Sequence, residues 1–117
     1  MGGRGGASGI ALNAVSKEHG VKNYTANQTF YKAKPNGSYE KQKGSTFFVG
    51  GRQFGIHTVT GLSAGKFMVT DVKTGMGVGL SHTVSEAVSL ARKNVKKINS
   101  YPELAERENR LKKFKNN

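Results

Sequence analysis

Catalysis at neutral pH needs reactive groups gathered at one place, and few residue sets in this chain have the spacing to gather. Gly61-Leu62-Ser63-Ala64-Gly65-Lys66-Phe67 has the flavour of a phosphate loop. Its glycines stand one residue too close, and Phe67 occupies the place where Ser or Thr must reach magnesium, so a hairpin loop is the better reading. Gly75-Met76-Gly77-Val78-Gly79 alternates glycine without the dinucleotide fingerprint and with no βαβ unit around it, as a strand carrying glycines would. His19, His57 and His82 lie far apart without ligand-like spacing. With no cysteine, a disulfide framework and a thiolate metal site are excluded. Of the seven acids, Glu103, Glu106 and Glu108 cluster near the end as dipole and ion-pair partners, and no two acids form a convincing acid–base pair. The expectation is a protein that is not an enzyme and takes no metal and no cofactor.

Positive charge is where one residue type does accumulate. Lys32, Lys34, Lys41 and Lys43 surround a first hairpin; Arg92, Lys93, Lys96 and Lys97 share one helix; Arg110, Lys112, Lys113 and Lys115 fall in a last helix. Nineteen Lys and Arg against seven Asp and Glu give a formal net charge of +12. Such an excess costs stability by self-repulsion, which points to a polyanionic partner. Each run also reads as a merely solvated face. Tyr31, Tyr39, Phe47 and Phe48 are interleaved with the first cluster, either as stacking rings or as core. The partners expected are nucleic acid or a nucleic-acid-handling host protein; a membrane is not expected, because no apolar stretch approaches the ~20 residues of a span and the basic last helix has too few bulky apolar residues to lie in a membrane interface.

The elements that must position these cations are legible from pattern. Residues 1–9, Met-Gly-Gly-Arg-Gly-Gly-Ala-Ser-Gly, read as a flexible leader, and a short helix is expected over residues 10–19. From Asn27 the chain alternates at period two and stops at Pro35-Asn36-Gly37; residues 39–45 read as a polar basic loop. Strands are expected at residues 46–49, stopped or bulged at Gly50-Gly51, then at 52–60, 66–73 and, after Thr74-Gly75, 76–80. Thr83 and Glu86 have capping-box spacing, and Val84, Ala87, Val88, Ala91, Val95 and Ile98 make an apolar stripe at helical period. Ser100 and Glu103 repeat the box, with Pro102 in the first turn, to open a last helix whose thin apolar content suggests loose docking or ordering on a partner. The fold expected is α+β: an antiparallel sheet of four or five strands with one packed amphipathic helix, a basic C-terminal helix and a flexible N-terminal leader. The boundaries expected are 1–26 for leader and short helix, 27–99 for the α+β domain, and 100–117 for the basic helix.

Three stretches carry resemblances. Gly77-Val78-Gly79-Leu80-Ser81 before an Ala-containing basic helix is similar to the end of double-stranded-RNA-binding domains, although that family's Lys-Lys pair is replaced by His82-Thr83 and the alanine register runs two residues late. Residues 66–98 are similar to the three-stranded arm-binding domain of tyrosine integrases. Gly2-Gly3-Arg4-Gly5-Gly6-Ala7-Ser8-Gly9 resembles the leader of assorted small proteins of phages and mobile elements of Gram-positive bacteria. That last resemblance implies a phage-type protein in the cytoplasm of a bacterial host. The leader does not fix a function; with the charge excess, the expected action is binding of nucleic acid or a nucleoprotein machine without catalysis or, in the alternative, inhibition of a host defence nuclease of the anti-CRISPR kind.

Overall fold

The computed structural model describes residues 20–59, 61 and 65–116. The expected leader, the short helix over residues 10–19, His19 and the middle of the Gly61–Gly65 loop lie outside the described residues. Five strands, β1 (Lys22–Ala33), β2 (Tyr39–Val49), β3 (Arg52–Thr58), β4 (Phe67–Asp71) and β5 (Gly77–Ser81), form one antiparallel sheet in sequential order. Two helices follow, α1 (Val84–Asn99) and α2 (Leu104–Lys115). The expected α+β class, with an amphipathic helix packed on an antiparallel sheet, is what the structure shows.

Alternation in β3 sends Phe54 and Ile56 to one face, where Phe47, Val49 and Val69 join them from the neighbouring strands. The α1 stripe closes this core: Ala87, Val88, Ala91 and Ile98 are buried, and Val84 and Val95 are partly so. Thr83 caps the helix, its Oγ1 accepting from the Glu86 amide at 3.1 Å. The Glu86 carboxylate reaches one residue further back than a capping box requires and accepts from the His82 amide at 2.7 Å. Gly50 and Gly51, both at positive φ (61° and 78°), join β2 to β3 in two residues, a turn whose twist matches the strands and which side chains oppose.

The opposite face of the sheet also holds a small core. β1 carries register shifts between Lys22 and Gln28, with Asn23 and Asn27 at positive φ, and such bulges increase twist. The β1–β2 hairpin therefore coils across the sheet until the Ala33 amide donates to the Gly75 carbonyl, at 2.8 Å, in the turn before β5. Phe30 lies so close over Gly55 that a Cβ there would stand 2.7 Å from its ring. Thr46, His57 and Thr70 are buried on the same side.

Three boundaries differ from the sequence reading. β1 begins at Lys22 rather than Asn27, because the bulges interrupt the alternation by which a strand is recognised. Residues 39–45 belong to β2 and are not a loop: the ladder with β1 (Tyr31 opposite Lys41, Thr29 opposite Lys43) supplies the order that Lys, Gln and Gly do not favour on their own. Ser100 does not open α2. Its Oγ donates to the Lys97 carbonyl at 3.0 Å and its amide to the Lys96 carbonyl at 3.1 Å, so it closes α1, and α2 starts after Glu103 without a side-chain cap.

Nor is α2 loosely docked. Leu111 is 2% exposed. Glu108 accepts from Arg52 Nη2 at 2.9 Å, and Arg52 also forks onto Asp71 through Nε (2.6 Å) and Nη2 (2.9 Å). Asp71 is fully buried and accepts in addition from the Thr74 amide (3.2 Å) and hydroxyl (2.5 Å). Burial alone would lower the Arg52 pKa, but the hydrogen bonds and charges of Asp71 and Glu108 outweigh it and raise it. This network ties β3, the β4–β5 turn and α2 together.

Candidate nucleic-acid interface

The expected cations occupy distinct regions of the surface. Lys34 is exposed at the hairpin tip and lines a groove with Tyr39, Thr74, Arg107 and Arg110. On the other side of α2, Lys112 and Lys115 line a second groove with Gln53, Val72 and Lys73. Lys113 is exposed on the same helix. The structure thus brings the hairpin tip and α2 together, although roughly 70 residues separate them along the chain. Lys32 sits opposite Glu40 on the ladder and pairs with it at 3.7 Å. Lys41 and Lys43 are exposed on β2.

The α1 cations are not gathered into these two grooves. Lys93 and Lys96 are exposed, and Lys96 and Lys97 stand in the last turn, where the helix dipole favours them. Arg92 lines a separate groove with Lys22, Gly50 and Gly51, while Lys97 lies beside Tyr101 and Met76.

Much of the acidic charge near these surfaces is engaged internally. Glu40 pairs with Lys32, Asp71 and Glu108 with Arg52, and Glu86 with the start of α1. Glu108 is the acid that lines the second groove, and its pairing with Arg52 leaves Lys73, Lys112 and Lys115 to set the local field.

Of the four stacking candidates, Phe47 is fully buried in the main core and is withdrawn from that role. Tyr31, Tyr39 and Phe48 are half-buried. Sequence reasoning missed Lys22 and Lys73, single cations outside any run, and gave Phe114 no binding role. Phe114 is 38% exposed and makes ring contacts with Tyr31 and Tyr39.

Among the described residues, no group of three His, Cys, Asp or Glu has metal-binding proximity. His57 is buried against Phe30, its Nδ1 without a partner, and burial together with the charge of Lys32 lowers its pKa. His82 is exposed at the start of α1. Gly61-Leu62-Ser63-Ala64-Gly65 does have the spacing of a nucleophile elbow, but that motif needs a strand-to-helix turn, and this stretch joins two antiparallel strands. Ser63 lies outside the described residues. No helix is long and apolar enough to cross a membrane among the described residues. Compared with known proteins, the chain matches no family model, no curated protein and no solved structure.

Proposed function

We propose that this chain binds nucleic acid without catalysis, chiefly through backbone phosphates, and that α2 is the centre of the contact. The observation that carries the reading is the pair of cation-lined grooves flanking α2, with Lys34, Arg107 and Arg110 on one side and Lys73, Lys112 and Lys115 on the other. Lys and Arg so placed neutralise phosphates and release counterions, a contribution that reads charge and spacing rather than base sequence. The net charge of +12 supports long-range attraction to the same partner. The resemblance of residues 2–9 to phage-type leaders is compatible with such a role and does not specify it.

The test is a salt titration of binding to unrelated oligonucleotide sequences. Replacing Lys112 and Lys115 together by Glu should weaken binding alike for all of them, and the log–log salt slope should become shallower by roughly one unit for each phosphate no longer neutralised. The anti-CRISPR-type alternative predicts a different result. The double variant would then lose inhibition of one nuclease while free nucleic acid, which would bind poorly, failed to compete.

A further inference from the structure

The exposed ring of Phe114 is unaccounted for by phosphate binding alone. Leu111 already anchors α2 at 2% exposure, whereas Phe114 leaves 38% of its surface in water. Its ring centroid stands 5.1 Å from that of Tyr39 and 6.0 Å from that of Tyr31, edge-on to the latter, and Lys115 Nζ lies 5.9 Å from the Tyr31 ring. Arg107, Arg110 and Phe114 follow at steps of three and four residues, so they share a helix face and span about 10 Å along its axis. Arg107 and Arg110 line their groove with Lys34 and Tyr39, and Lys41 sits directly across the ladder from Tyr31. Rings and cations therefore alternate within one strip.

An exposed apolar ring gains by being covered, and the charges around it select what covers it. A basic or neutral partner would strip water from several cations without compensating them. A polyanion would compensate them, but a duplex keeps its base faces stacked inside and offers such a strip phosphates and groove edges, with no face for a ring to cover. An unpaired strand presents flat bases and phosphates in alternation, the pattern that stacking platforms in a basic groove accept. We infer that Phe114, backed by Tyr31 and Tyr39, stacks on an unpaired base and that the preferred partner is single-stranded nucleic acid; this rests on the phosphate-binding reading above.

The experiment measures binding of fluorescent homothymidine and homouridine oligonucleotides and of a duplex of equal length, with the full chain and with Phe114→Leu and Phe114→Trp. Leucine keeps the apolar contact with Tyr31 and Tyr39 but has no flat face. Expected are tighter binding of either single strand than of the duplex, and a roughly tenfold loss for Phe114→Leu confined to single strands. The salt slope should not change with that substitution. Phe114→Trp should retain the preference, with tryptophan emission quenched by single strands and not by duplex. A stronger response to homouridine assigns RNA as the source of the bases, and a stronger response to homothymidine assigns DNA; either supports the inference. Equal binding of strand and duplex, with Phe114→Leu without effect and the tryptophan unquenched, would overturn it while leaving the phosphate-binding reading standing. Absence of binding to all three at low salt would overturn that reading and the inference with it.

Discussion

At the scale of single residues, a buried ion pair and a buried histidine are set in opposite ways. Arg52 and Asp71 are both buried and bond each other through two hydrogen bonds, with Thr74 also donating to Asp71 and Glu108 also accepting from Arg52. Removing one partner of such a pair leaves a buried charge uncompensated, so Asp71→Ala should cost about 3–5 kcal/mol in urea unfolding. Glu108→Gln, at a side chain 28% exposed and screened by water, should cost only about 1 kcal/mol. Equal losses for the two would show that the Asp71 contact is not the buried core of the network. His57 is the opposite case: Nδ1 has no hydrogen-bond partner, and burial first, then the charge of Lys32, pulls its pKa below 6.5, with Glu40 opposing. Below about 6.5 the unfolded chain therefore binds the proton more readily than the folded one. Stability should be intact above that value and fall as pH drops toward the lowered folded value. His57→Leu should make the fall in melting temperature between about pH 7 and about pH 5.5 shallower than in the parent chain. An unchanged slope would mean that His57 is reached by water in the fold.

At the scale of elements, α1 was legible because its six apolar positions and its Thr83 cap point to the same helix, and burial against the sheet follows that stripe. Val88→Asp should place an unpaired charge at a site 2% exposed and cost roughly 3 kcal/mol or more, read as a lowered urea midpoint. A midpoint equal to that of the parent would sink the packing of α1 on the sheet. The turns at Pro35-Asn36-Gly37 and Gly50-Gly51 were legible for the same kind of reason, since glycine occupies left-handed positions in both. The first half of β2 was not. Lys41, Gln42, Lys43 and Gly44 have no strand preference, and their order comes from pairing with β1, a contact that no local window contains. The Ser100 capping pattern misled because a serine after a helix can equally close it, as the bond from its hydroxyl to the Lys97 carbonyl shows. The Arg52–Asp71–Glu108 network was hidden for a third reason: Asp71 and Glu108 stand 19 and 56 residues from Arg52 along the chain, and each looks, taken singly, like an ordinary surface charge.

At the scale of the whole molecule, the cations were legible as residues but not as a surface. Sequence order grouped them into three runs, whereas folding joins the tip of the first run to α2 and leaves the exposed residues of α1 apart from both grooves. That separation makes the two patches distinguishable by the length of the nucleic acid. The molecule is 43 Å along its longest axis, which a stacked strand at about 3.4 Å per nucleotide covers in roughly 13 nucleotides. If a strand of only a few nucleotides is held at α2 alone, reversing Lys93 and Lys96 to Glu should leave its affinity nearly unchanged. A strand well beyond the length of the molecule can touch both patches, and the same reversal should then weaken binding and reduce the salt slope by roughly one unit for each phosphate released from the α1 patch. Folding should hardly respond, because both lysines are exposed on the solvent face of α1 and such changes usually stay within about 0.5 kcal/mol. If the α1 reversal weakens short and long strands equally, the effect is one of net charge and no second patch exists. If it weakens neither, Lys93 and Lys96 only keep the molecule soluble, and the contact ends at the grooves beside α2.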